Sequence, residues 1–165
     1  MSLTGQIATT AQITQTTQGA TDLGPSSVPV NYSSTWNIAS GVAANLADLS
    51  YSGQRTVPGG GNEDLDLAGG TLTTLGVTLA FVKIKAVIVE ALASNSGPIT
   101  VGGATTNAFV GPFGAATHTV ILPAGGVFEA RNPNTGWTVT AGTGDLLRIA
   151  GANQVYKIVL VGTSA

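Results

Sequence analysis

Few residues in this chain could do chemistry. The single histidine, His118, opens the run HTVIL, and cysteine is absent. One imidazole without thiolates cannot build metal centres that need two or three histidines. A nucleophile, base and orienter set would need His118 beside a Ser or Thr and one of eight acids, and no G-x-S-x-G elbow is present. His118 therefore reads as a surface histidine at a strand end. Asn62, Glu63, Asp64 and Asp66 offer hard oxygen atoms of the kind calcium takes. The further acids of an EF-hand loop are missing, so EDLDL (Glu63–Leu67) reads as a solvated edge strand with Leu65 and Leu67 inward and Asp64 and Asp66 outward. Glu90 and Glu129 both fall in predicted strands and could serve as paired carboxylates for glycoside hydrolysis only at a fixed separation. The plainer reading has Glu90 ending a strand and Glu129 facing Arg131 or a lysine across the sheet. Trp137 could stack on a sugar but reads as a packing residue on the face of Val139, because a saccharide site would show several aromatics. The VGG and PAGG segments are hairpin connections rather than phosphate loops, since no Lys-Ser or Lys-Thr follows them. No catalytic, cofactor-binding or metal-ligating residue is assigned.

The element that must position everything else is Leu79–Leu92, LAFVKIKAVIVEAL. Val and Ile lose rotamer freedom in helices but pack well on a pleated surface, so this run predicts one long central strand. Regular alternation puts Ala80, Val82, Ile84, Ala86 and Ile88 on a core face. It puts Phe81, Lys83, Lys85, Val87 and Val89 on the other, which suits a sheet partly wetted or partly covered by another chain.

Charged residues are only 8% of the chain, against roughly 25% in ordinary domains. Six Lys and Arg with a net charge of −2 cannot neutralise a phosphate backbone, so nucleic-acid binding is not expected. Little charge of either sign also gives weak mutual repulsion, which suits permanent association and equally an ordinary secreted β protein. The longest apolar run carries Lys83, Lys85 and Glu90 and is too short to span a bilayer as a helix. The N-terminus has neither the charged start nor the continuous apolar core of an export signal.

Along the chain, residues 1–29 read as an N-terminal arm and linker, and residues 30–165 as a β-sandwich domain. The arm, with ATTAQITQTTQ at its centre, resembles a polar strand with little to bury on either face. It is either disordered or gains its hydrogen bonds by lying along a neighbour. GPSSVP (24–29) is linker-like. Candidate strands follow at Ser34–Ile38, Leu46–Tyr51 and Arg55–Val57, and ASGVAANLADL could alternatively form a helical turn. After the central strand come ITV, NAFV, HTVIL, VFEAR, WTV, LLRIA and VYKIVLVG, separated by Gly, Pro and Asn turns. Short strands without crossover helices predict an all-β, antiparallel β-sandwich, with a jelly-roll-like version preferred. The expected core is Val82, Ile84, Ala86 and Ile88 with Val101, Phe109, Val120, Leu122, Phe128, Val139, Leu147, Ile149, Ile158 and Leu160.

Three blocks, TVGGATTNAFVGPFG (100–114), ILPAGGVFEARNPNTGWTVTAGTGDLLRIA (121–150) and YKIVLVGTSA (156–165), resemble small phage and prophage virion proteins. In that group a VGGAxxNAF turn accompanies a GWxVxxGTGDxLRI strand pair and a terminal VGTSA. The resemblance runs from about Ala43 to Ala165 and is densest toward the C-terminus. It implies a non-enzymatic β-sandwich protein of a tailed-phage particle, a capsid cement or decoration protein. The expected partners are the major capsid protein and further copies in a homotrimer, with no membrane and no small-molecule substrate. The expected place is the capsid surface of the virion, after synthesis in the host cytoplasm. In this picture the arm pairs its backbone with a neighbouring subunit. The rival expectation is a carbohydrate- or receptor-binding module of a fibre or tail, which would need exposed aromatics around Trp36, Trp137, Tyr32 or Tyr51.

Overall fold

Turn residues arrive every few positions in this sequence, and the chain obeys them by folding as strands joined by tight connections. The structure is a computed structural model that describes residues 2–17, 24 and 26–165. Its strands are β1 (Gly5–Thr17), β2 (Ser26–Ile38), β3 (Leu49–Thr56), β4 (Asn62–Asp66), β5 (Thr73–Thr74), β6 (Val77–Thr78), β7 (Lys83–Ala91), β8 (Ile99–Gly102), β9 (Thr119–Leu122), β10 (Val127–Arg131), β11 (Trp137–Thr138), β12 (Leu146–Ala150) and β13 (Val155–Thr163). Among the described residues the only helical element is a 3-10 turn at Gly111–Phe113. The protein is all-β, as the pattern predicts, and the eleven-residue stretch ASGVAANLADL is loop and bridge rather than helix.

Two antiparallel sheets form a β-sandwich. One has the order β10-β7-β13-β3, with β11 also on β7, and the other the order β4-β12-β8-β9. The pairing is nested: β3 with β13, β4 with β12, β7 with β10 and β8 with β9, every pair antiparallel. Between the layers lies one core that includes Phe81, Ile84, Val87, Val89, Val101, Phe109, Leu147, Ile149, Tyr156, Ile158 and Leu160, each at most 2% exposed. Burying such side chains contributes about 1.5–3 kcal/mol each relative to leaving them in water.

The central strand departs from simple alternation at one residue. Ala86 pairs with Val161 and Ile84 with Gly162, so Lys85 is an extra residue, a β-bulge. Its effect is to reverse the faces beyond it. Ile84 points into the main core, and after the bulge so do Val87, Val89 and Ala91. Ala86 joins a second cluster on the outer side of the sheet, and Ile88 is only half-buried. The expected core face was therefore reversed for Ala86 and Ile88, and Ala80 and Val82 are exposed because the strand starts at Lys83. Gly162 is required opposite the bulge. A Cβ there would lie 2.1 Å from the Lys83 carbonyl oxygen and 2.8 Å from the Phe81 ring.

Elsewhere the expected inventory stands with small changes. Val101, Phe109, Leu122, Val139, Leu147, Ile149, Ile158 and Leu160 are buried, while Val120 and Phe128 pack against the core from partly exposed positions. NAFV does not become a named strand, but Ala108 makes a bridge to Leu146. Leu65 and Leu67 are buried, and β4 is an edge strand, as EDLDL predicts.

The arm corrects the reading most. β1 pairs with β2 of the same chain along its whole length, from Gly5↔Ile38 to Thr17↔Ser26. One edge of it is thus hydrogen-bonded to residues 26–38 of the same chain, and the linker-like 24–29 supplies the start of β2 as far as it is described. The expected boundary at residue 30 falls inside that strand. The part of the arm at 18–23 lies outside the described residues.

Candidate functional site: the hairpin and its anchor

Residues opposite each other in an antiparallel pair share a face, so the register sorts the hairpin into two surfaces. Gln6/Asn37, Ala8/Thr35, Thr10/Ser33, Gln12/Asn31, Thr14/Pro29 and Thr16/Ser27 make one, which is neutral and mostly polar. Ile7/Trp36, Thr9/Ser34, Ala11/Tyr32, Ile13/Val30 and Gln15/Val28 make the other, which is apolar. Neither strand contains Asp, Glu, Lys, Arg or His. The arm therefore does have a face to bury, but half of it comes from β2 and emerges only on pairing.

At the base of the hairpin this face is covered. Trp36 and Ile38 bury against Ala47, Ala86 and Val161, with Leu3, Ile7 and Val159 packed around them. This second cluster sits on the outer side of the five-stranded sheet, on the residues that the bulge turned outward. Further along, the same face is open: Ile13 is 60% exposed, Val28 62%, Val30 52% and Tyr32 57%.

Two cations hold the base. Arg131, at the end of β10, donates through Nη1 to the carbonyl oxygens of Ile7 (3.2 Å) and Ser34 (3.3 Å) and through Nη2 to Thr9 Oγ1 (3.0 Å). Its Nε pairs with Glu129 at 2.8 Å, and Thr9 Oγ1 donates to the same carboxylate at 2.9 Å. One guanidinium thus bridges both hairpin strands to the sheet, which a rigid fork of five donors is suited to do. The second cation is Lys85, 1% exposed, whose Nζ donates to the carbonyl oxygens of Ala43 and Leu46 at 2.6 Å each. Burial pushes its ammonium below the ordinary lysine range, and the nearby Lys83 adds to that, with Asp48 opposing. Trp36 Nε1 donates to the Asn45 carbonyl at 2.9 Å, and Asn45 N donates to Pro133 O at 2.8 Å. The 39–47 loop is therefore clamped under the hairpin. A shallow cleft of about 330 Å³ at this junction is lined by Ser34, Thr35, Trp36, Arg131 and Pro133.

The acids weighed for chemistry are committed elsewhere. Glu63 accepts from Arg55 Nε at 2.7 Å and from Tyr156 OH at 2.7 Å. Burial, and then the Glu63 hydrogen bond, pushes the Tyr156 phenol well above its ordinary value, and the Glu63 hydrogen bond raises Arg55. Asp64 makes a bidentate pair with Arg148, both bonds 2.7 Å, which lowers its carboxyl below the usual range. Asp66 accepts from the backbone of Ala68 and Gly69, so Asn62, Glu63, Asp64 and Asp66 do not converge. Among the described residues no group of three His, Cys, Asp or Glu is placed to hold a metal ion. Glu129 pairs with Arg131, as expected of it, and Glu90, next to the end of β7, pairs with Lys157 at 3.2 Å, a partner the sequence reading did not name. Asp48 accepts from Ser164, and Asp145 from Gly142 N.

His118 is exposed just before β9, and its Nδ1 lies 2.9 Å from the Phe113 carbonyl oxygen, to which it donates. Trp137 packs against the main core and Tyr51 is buried in it. Of the four aromatics a sugar site would need, Tyr32 alone is more than half exposed. Sequence reasoning missed Arg131 as the hub and Lys85 as the loop clamp. A lysine inside an apolar strand with no adjacent acid was the one available signal for Lys85. No described helix is long and apolar enough to cross a membrane. Comparison with family models, with curated protein sequences and with solved structures returns no match to this chain.

Proposed function

We propose that this protein is a non-enzymatic structural component of a virus particle, a capsid cement or decoration protein. In this reading it binds the major capsid protein on the outer face of an assembled phage head and associates with its own copies as a trimer. The observation that carries the reading is where the ionisable groups go. Among the described residues every carboxylate side chain accepts from at least one internal cation, hydroxyl or backbone donor, and the one buried carboxylate oxygen left without a partner is Asp145 Oδ1. What the surface presents instead is neutral polar sheet and a projecting, charge-free apolar ribbon. Such a molecule acts by covering surface rather than by moving protons.

The resemblance of residues 100–114, 121–150 and 156–165 to phage virion proteins is what suggests the particle, and the nested strand pairing is compatible with it. We read that pairing as jelly-roll winding, an architecture used by viral capsid proteins and also by lectins and cupins. Architecture alone does not assign a role. The lectin-like alternative gains only one exposed aromatic, Tyr32, since Trp36 and Tyr51 are buried and Trp137 packs on the core.

A cement protein works thermodynamically, by binding the assembled shell and not the free subunits, which stabilises the former by mass action. Mixing purified protein with phage heads that lack it tests the reading. Stoichiometric addition and a raised melting temperature of the heads are expected. Failure to add, or addition with no rise, would overturn it.

A further inference from the structure

We infer that the apolar face of the hairpin beyond Thr9 and Ser34 is the surface on which a second copy of this chain packs. The inference rests on the self-association in the proposed function but not on the identity of any shell. A two-stranded ribbon by itself is marginal in water, and a sheet with one apolar face needs a layer against it. The base of this ribbon has that layer, because Trp36, Ile38 and Ile7 lie on the outer side of β7 and β13. Beyond the polar Thr9/Ser34 pair, which Arg131 and Glu129 hold, the face resumes through Ala11/Tyr32, Ile13/Val30 and Gln15/Val28, over roughly 14 Å of strand, with nothing among the described residues covering it.

The absence of charge argues for a second copy as the occupant, and the area limits how tightly it is held. β1 and β2 hold no acidic or basic side chain, so the ribbon has nothing to steer it to a charged partner and nothing to repel its own kind. Its apolar stripe is flanked by Thr, Gln and Ser on both strands, so a second copy meets the same chemistry that it presents. Ile13, Val28, Val30 and Tyr32 together expose on the order of 400 Å² of side chain, the size of patch that marks an interaction surface on a monomer. Two such faces closed together bury on the order of 800 Å², well below the roughly 1,200 Å² at which standard interfaces begin. Association through the ribbons alone is therefore reversible and concentration-dependent.

Sedimentation velocity between about 1 and 100 µM, the range in which a micromolar complex dissociates, reads this out. Wild type is compared with the double variant Ile13→Asp/Val30→Asp on the apolar face and with Thr10→Asp/Gln12→Asp on the opposite face. Wild type and the opposite-face variant should associate alike, while the apolar-face variant should associate at least about tenfold more weakly with an unchanged thermal transition of the body. A monomeric wild type, equal association of all three proteins, or equal loss in both variants would overturn the inference. Binding to heads is scored separately. Intact self-association without head binding would sink the cement reading and leave this surface standing.

Discussion

The sandwich body and the hairpin are made by the same backbone ladder and held by different things. In the body, β7 and β13 carry Val87, Val89, Ala91, Ile158 and Leu160 at no more than 1% exposed, so each cross-strand pair also closes a core. In the hairpin, thirteen residues of β1 face thirteen of β2, yet only Trp36 and Ile38 are buried. Hydrogen bonds replace bonds to water and contribute about 0.5–1.5 kcal/mol net each, against about 1–2 kcal/mol to order each residue. A ladder without a core is therefore close to break-even. The body closes its own core, whereas the hairpin depends on its anchor.

The strongest way to break this contrast is to cut one side chain from each region. Leu147→Ala should destabilise the body by about 2–5 kcal/mol in urea unfolding, because a cavity opens in a rigid core. Ile13→Ala should change the same transition by less than about 0.5 kcal/mol in monomeric protein. Equal effects would mean that the hairpin is part of the body's cooperative unit. Gly162→Ala comes next. Its Cβ would strike the Lys83 carbonyl, so a loss of about 1–3 kcal/mol or more is expected, seen as a fall in melting temperature.

Lys85 sharpens the comparison at the seam between the regions. Lys85→Met leaves the Ala43 and Leu46 carbonyls without their donor and should cost about 1–3 kcal/mol. The lysine's folded pKa is lowered by burial, so over the window between that value and its ordinary 10.5 the unfolded chain holds more protons than the folded one. Wild-type stability relative to Lys85→Met should therefore rise as pH climbs through that window, and fall as pH drops through it. Denaturant unfolding of both proteins at stepped alkaline pH checks the sign.

Arg131→Ala is a finer probe. It should raise the amide exchange rates of β1 and β2 several-fold while leaving those of β7 and β13 almost unchanged, because Arg131 binds both hairpin strands. Uniform acceleration would show that the hairpin is not a separate unit. The smallest effect belongs to Asp64. Its carboxyl is held below the usual range by Arg148, so the pair's contribution is present above the ordinary aspartate pKa and lost as pH falls through the lowered one. The pair is partly exposed, so Asp64→Asn should cost no more than about 1 kcal/mol at neutral pH and nothing in strong acid.

Much of the body was legible because burial and alternation leave a mark on residue type. EDLDL, HTVIL, VFEAR and LLRIA announce strands, and Glu129 finds the Arg131 partner that its position suggests. The candidate site was not legible in the same way. Val28, Val30 and Tyr32 look scattered along β2, as do Ala11 and Ile13 along β1, and only the register makes them one face. The core face of the central strand was misread for a related reason. One extra residue at Lys85 reverses every side chain after it, and nothing in LAFVKIKAVIVEAL marks where the extra residue falls.

The amino-acid sequence by itself determined the class of structure and the absence of a charge field. Short β-branched runs between glycine and proline turns can form only strands, and a chain with 8% charged residues has a neutral surface however it folds. Tertiary structure alone decided which strands pair, where the central strand bulges, and that the N-terminal residues close on 26–38 of their own chain. Those outcomes depend on contacts between residues far apart in sequence, whose free energies no local pattern encodes.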